Sequence, residues 1–142
     1  MEGLVEELAL SHNVIYLNFV EESELPYVYS SADLTAVVSF EEGFGFAVVE
    51  SQACGVPVIS SRRSSLSEVA GPDSIFIENP EDPEILSQII VDVLAMDKSR
   101  LVSLVYKGRQ NSKRFTWKSN AAQTLDVYER VLRVDGKLKR VE

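Results

Sequence analysis

Cysteine and histidine are nearly absent from this chain, which holds one of each, Cys54 and His12. A single thiol closes no intramolecular disulfide, so a reducing compartment is expected. Cys54 lies among small residues in "SQACGVPV" and reads as a packed thiol, not a nucleophile. His12 precedes the first apolar run and reads as a surface residue. Basic residues are also scarce: 14 Lys and Arg stand against 22 Asp and Glu, a formal net charge of -8. Nucleic acid needs a basic face that releases counterions, and no such partner is expected; nonspecific attachment to an anionic membrane is disfavoured too. The late cations are Lys113-Arg114 and the tail residues Lys137, Lys139 and Arg140, a tail that reads as a solvated helix end complementing the helix dipole. No apolar run reaches the roughly 18 residues of a membrane helix. Glu2, Glu6 and Glu7 stand where a signal peptide would be basic, so the expected location is the cytosol.

What remains suits one soluble domain spanning residues 1–142, with 45% hydrophobic and 25% charged residues. Short apolar or β-branched runs predict strands over Val14 to Leu17, Leu34 to Val38, Pro57 to Ser60 and Ser74 to Ile77. Helical stretches fall between them, over Ser23 to Ala32 and Phe46 to Cys54, with a shorter turn over Ser65 to Ala70. The alternation predicts an α/β fold, a doubly wound Rossmann-like parallel sheet of about four strands. From Asn79 onward, caps and prolines lead into Ile85, Ile89, Ile90, Val93 and Leu94 at helical spacing. Two amphipathic helices follow, over Lys98 to Lys113 and Trp117 to Arg133. The second carries Ala121, Leu125, Tyr128, Val131 and Leu132 on one side. Thr116 is its expected N-cap, with Phe115 and Trp117 anchoring it by packing.

The chemistry concentrates in "SFEEGFGFAVVESQACGVPVIS". Open parallel sheets bind ligands beyond the carboxyl ends of their strands, and "LTAVVS" runs directly into "FEEGFG". Gly43 and Gly45 flank Phe44 without side chains of their own, so backbone N–H groups can approach an anion or a sugar hydroxyl. A helix begins just after them, and its electropositive N-terminus favours a phosphate. Glu42 lies in the loop and Glu50 well along the helix. Ionised carboxylates only accept hydrogen bonds and therefore suit hydroxyl-rich ligands.

The stretch "EEGFGFAVVESQACGVPVISSRRSSLSEVAG" resembles the signature of the group 1 glycosyltransferases, retaining enzymes of the GT-B fold, whose pattern runs E-G-F-G-x-x-x-x-E-A-x-A-x-G-x-P-V. Glu42 and Glu50 fall on its two glutamates; Glu41 does not. The likeness extends over "NVIYLNFVEESELPYVYSSADLTAVVS", with its L-x-x-x-Y-x-x-A-D element, and over "FTWKSNAAQTLDVYERVL", so it covers about Asn13 to Leu132. It implies a donor-binding domain, half of a GT-B architecture. Glu42 is then the catalytic glutamate near the transferred sugar's hydroxyls, Gly43, Phe44 and Gly45 form the loop whose amides meet sugar and diphosphate, and Glu50 binds the nucleotide ribose. The donor is a nucleotide sugar linked to UDP, GDP or ADP, and neither metal nor other cofactor is expected.

Departures from the pattern are Asn18 and Ser51, where the family often has glycine and alanine, and Ser67 in place of a proline before Glu68. Arg62 and Arg63 replace small residues and read as a solvated loop in preference to a phosphate contact. The resemblance covers only the latter part of a C-terminal domain. No acceptor domain accompanies it, nor does the family's Arg and Lys diphosphate clamp, so an N-terminally truncated form with little activity alone is expected. In a 3-2-1-4-5-6 strand order, Val14 to Leu17 would be strand 3 and Leu34 to Val38 strand 4, without the two strands between them. The expected outcomes are a rearranged four-stranded sheet, a homo-oligomer through the exposed edge, or poor solubility. Two further readings are weighed. A noncatalytic module docking on a glycosyltransferase partner would bind a complete enzyme without adding turnover. An unrelated response-regulator-type domain would need acidic clusters at early strand ends, where this chain has "LNF". Peripheral membrane association belongs only to the full-length family context.

Overall fold

The computed structural model describes residues 2–134. The tail cations Lys137, Lys139 and Arg140 lie outside them. Three strands, β1 (Thr35–Val37), β2 (Val58–Ser61) and β3 (Ile75–Ile77), form one sheet in the order β1-β2-β3. Both pairings are parallel, with Thr35 opposite Val58 and Ile59 opposite Ile75. Seven helices accompany them among the described residues: α1 (Glu2–Glu7), α2 (Leu25–Ser30), α3 (Phe46–Cys54), α4 (Leu66–Val69), α5 (Pro83–Leu94), α6 (Lys98–Ser112) and α7 (Trp117–Val134).

The period-2 alternation of β2 builds a core on each face of the sheet. Val58 joins Val37, Val48, Leu66, Val69 and Ala70 beneath α3 and α4. Ile59 turns the other way, joining Ile77 and Val93 beneath α5, with Ile89 and Ile90 half-buried beside them. Helices on both faces make the sheet doubly wound, as expected. Asp82 and Asp97 cap α5 and α6, each carboxylate accepting from two backbone N–H groups of the first turn. The same hydrogen bonds, with one from the Ser99 hydroxyl first among them, hold the Asp97 carboxyl below its ordinary pKa.

The sheet has three strands, not four. Val14 to Leu17 is irregular, and Ile15 and Leu17 are 84% and 60% exposed. A strand forms only where a neighbour offers a ladder and a face to bury. Here β1 ends the sheet and, among the described residues, no strand stands between it and residues 14–17, so apolar pattern alone does not order them. The helix over residues 2–7 was not anticipated. Thr116 caps α7 as expected, its hydroxyl oxygen accepting from Ser119 N at 3.0 Å. Of its two aromatic anchors only Phe115 packs; Trp117 is 86% exposed. The apolar side of α7 also faces outward, with Leu125, Tyr128 and Val131 more than half exposed.

Candidate functional site

The loops after β1 and β2 meet at the carboxyl edge of the sheet, and serine hydroxyls tie them together. Ser61 donates to the Ser39 carbonyl at 2.5 Å, while Ser64 and Ser65 donate to the Glu42 carbonyl at 3.1 and 2.8 Å. The Glu42 side chain accepts from Ser39 Oγ through Oε1 at 2.9 Å. The loop bearing Glu42 is thus held at its backbone and at its carboxylate by short, stiff side chains from both strand ends.

Gly45 caps α3 in the left-handed region, with φ 100° and ψ 50°. A Cβ built there would lie 2.6 Å from Leu66 Cδ2 in the core, so both backbone and packing require glycine. Gly43 has open space around it. Between them Phe44 turns its ring inward, 4.8 Å from Phe46 and edge-on to Phe115 at 5.4 Å between centroids. Aromatic packing thereby fixes the backbone between the two glycines. No side chain caps the first turn of α3, where the Val48 N–H turns back to the Gly45 carbonyl at 3.1 Å, and no acidic residue of that turn offsets the positive end of the helix dipole.

Glu50 lies a little over one turn into α3. Its Oε2 accepts from the Tyr29 hydroxyl of α2 at 3.0 Å, and both residues are half-buried. Burial first, and then this bond and the carboxylate charge, push the Tyr29 phenol up to about 12. Each glutamate of the expected pair therefore has one oxygen engaged by a neutral hydroxyl. One residue along, Ser51 is fully buried and donates to Thr35 Oγ1 at 2.8 Å, locking α3 against β1. Its replacement of alanine adds a hydrogen bond as well as repacking.

Arg62 pairs with Glu78 at 2.6 Å and lies over the Phe76 ring at 4.1 Å, which accounts for it without a ligand. Tyr29, Ser39, Ser61, Ser64 and Ser65 are the site-forming residues that sequence reasoning did not single out. Only Tyr29 carried a signal, as the tyrosine of L-x-x-x-Y-x-x-A-D. Among the described residues no group of three or more His, Cys, Asp or Glu side chains could hold a metal ion. A cavity of about 30 Å³, room for one water, lies at the opposite end of the sheet beside Pro57, Ser74 and Asn111. Cys54 is a free thiol, half-buried at the end of α3.

A parallel sheet sandwiched by helices, with polar loops gathered at its carboxyl edge, defines an α/β domain of Rossmann type. The sequence model described as "Glycosyl transferases group 1" matches residues 1–111, and the chain belongs to that family. It is similar to the O-antigen chain mannosyltransferase B of Escherichia coli, with 35% identity over 126 residues, covering 89% of this chain and 32% of the relative. Sucrose-phosphate synthase from Thermosynechococcus elongatus superposes with a TM-score of 0.80 at 30% identity, covering 94% of this chain and 34% of that one. The Anabaena HepE protein, crystallised with UDP and glucose, shares the fold at a TM-score of 0.75 and 22% identity, over 91% of this chain and 35% of its own. The chain thus spans about a third of the length of the curated relatives it matches, and its fold is that of a GT-B C-terminal domain.

Proposed function

We propose that residues 1–142 form the donor half of a retaining glycosyltransferase site, binding a nucleotide sugar across α3. The observation that carries this is the pairing of two features on one helix. An N-terminus that no side chain caps, beside the Glu42 loop, suits the diphosphate and sugar, and the tethered Glu50 just over a turn further on suits the ribose. In this reading Glu42 is the catalytic glutamate beside the sugar hydroxyls, the amides of Gly43, Phe44 and Gly45 meet sugar and diphosphate, and Glu50 accepts from ribose hydroxyls. During transfer the bond from sugar C1 to the diphosphate oxygen breaks, its electron pair leaving with the nucleoside diphosphate. A C1–O bond forms on the same face to an acceptor hydroxyl, whose proton passes to the leaving phosphate. The nucleotide is UDP, GDP or ADP; the UDP bound by a protein of the same fold makes UDP the first to try. Acceptor recognition and the diphosphate clamp come from a further domain or a second chain, and activity of these residues alone is low. Self-association through the open edge of β1 is part of the same proposal.

Calorimetric titration of the chain with UDP, GDP, ADP and their sugar conjugates, beside Glu50→Ala, tests this. One nucleotide should bind saturably, and losing charge-assisted hydrogen bonds should weaken it about 10- to 100-fold in the variant. Equal binding by both proteins would remove Glu50 from the site. No saturation at millimolar ligand by a folded chain would place donor binding outside these residues.

A further inference from the structure

Glu50 is reached by one side chain from a separate element, Tyr29 of α2, across 21 positions of sequence. We propose that Tyr29 is a positioning residue for the donor's ribose, holding Oε2 of Glu50 so that the carboxylate is set in place with Oε1 free to accept from ribose hydroxyls. The inference deepens the donor reading above and rests on it. A glutamate has three side-chain torsions to order when a ligand arrives, and a partner that already fixes one oxygen removes part of that cost beforehand. The choice of partner matters as much as its position. An arginine or lysine there would neutralise the carboxylate and occupy the charge that the ribose hydroxyls need, whereas a phenol donates one hydrogen bond and leaves the negative charge in place. The phenol stays protonated well beyond neutral pH, so it remains a donor wherever the site operates. Half-burial of both groups shields the bond from competing water. Tyr27, two residues away on the same short helix, is 77% exposed and has no such contact.

The test compares ligands as well as proteins. The nucleoside diphosphate that binds best is titrated beside its 2′,3′-dideoxy form into wild type and Tyr29→Phe, which keeps the ring and loses only the hydroxyl. The ribonucleotide should bind about fivefold more weakly to the variant, the loss expected for one preorganising hydrogen bond, while the dideoxy form binds both proteins equally. Equal losses for the two ligands would make Tyr29 merely structural and overturn the proposal while leaving the donor reading intact. Absence of nucleotide binding by folded wild-type chain would overturn both. Should Tyr29→Phe fail to fold, Tyr29→Met fills the same space with a flexible apolar chain and likewise lacks the donor. The same ribose-only loss is then expected, and a loss shared by the dideoxy form would refute the proposal.

Discussion

Replacing Gly45 with alanine tests how the glycine-framed loop is held. The backbone there sits at φ 100°, where an L-residue is strained by about 1–2 kcal/mol. The new methyl would also lie 2.6 Å from Leu66 Cδ2. Leu66 is fully buried against Val48, Val58 and Val69 and cannot simply swing aside, so overpacking adds about 1–3 kcal/mol. The total, about 2–5 kcal/mol, is a large share of the stability of a small domain. Urea denaturation followed by far-ultraviolet circular dichroism would measure it, with Gly43→Ala as the control. That methyl meets nothing within 4 Å, and its cost should stay within about 0.5 kcal/mol. Leu66→Val removes the clashing methyl and should recover about 1 kcal/mol of the Gly45→Ala penalty as coupling between the two sites. If Gly45→Ala cost no more than Gly43→Ala, the assignment of Gly45 to backbone and core would be wrong.

Two other perturbations probe side chains that hold α3 in place. Asn111 on α6 donates through Nδ2 to Gln52 Oε1 and to the Val69 carbonyl, both at 2.8 Å, and Gln52 is 3% exposed. Asn111→Ala should therefore cost about 2–3 kcal/mol in the same denaturation assay by stranding buried acceptors, and a cost like that of the exposed Asn120→Ala would refute the bond's importance. For Tyr29 the folded pKa, raised to about 12, lies above the ordinary value of 10.0, so the folded chain holds its proton longer than the unfolded one. Its contribution is fully present below about pH 10 and is lost as pH rises toward about 12. Tyr29→Phe should flatten that alkaline fall in urea midpoints, and an unchanged slope would contradict the burial and hydrogen bond assigned to it.

The parts of the fold legible in the sequence were those fixed by contacts close in the chain. Helix α3 runs from Phe46 to Cys54 as read, because Gly45 and Gly55 bracket it, both with positive φ. β1 and β3 fall within the predicted runs Leu34 to Val38 and Ser74 to Ile77, and β2 extends one residue past Pro57 to Ser60, since apolar residues between helices have few other places to go. Val14 to Leu17 has the same local character and is not a strand, because a strand needs a neighbour and neighbours are not written in four residues. The outward face of α7 has the same cause: the periodicity of Leu125, Tyr128 and Val131 states that a face is apolar, not what covers it. In the site, Glu42 and Glu50 stood out by spacing. Their hydroxyl partners did not, because Ser39 is one serine of many and Tyr29 lies 21 residues from the carboxylate it meets.

Helix α3 is also a ruler. Each residue advances about 1.5 Å along its axis and turns about 100°, so Gly45 and Glu50 are held about 7.5 Å apart along the helix at a fixed angle. One residue added or removed between them would swing Glu50 about 100° away from Tyr29 and carry Ser51 away from Thr35. Side chains along the helix can be exchanged for others that pack, but the count of residues cannot change. The seven positions between Glu42 and Glu50 are therefore a length standard, four of them set by a rigid screw and the rest by a loop pinned with serines.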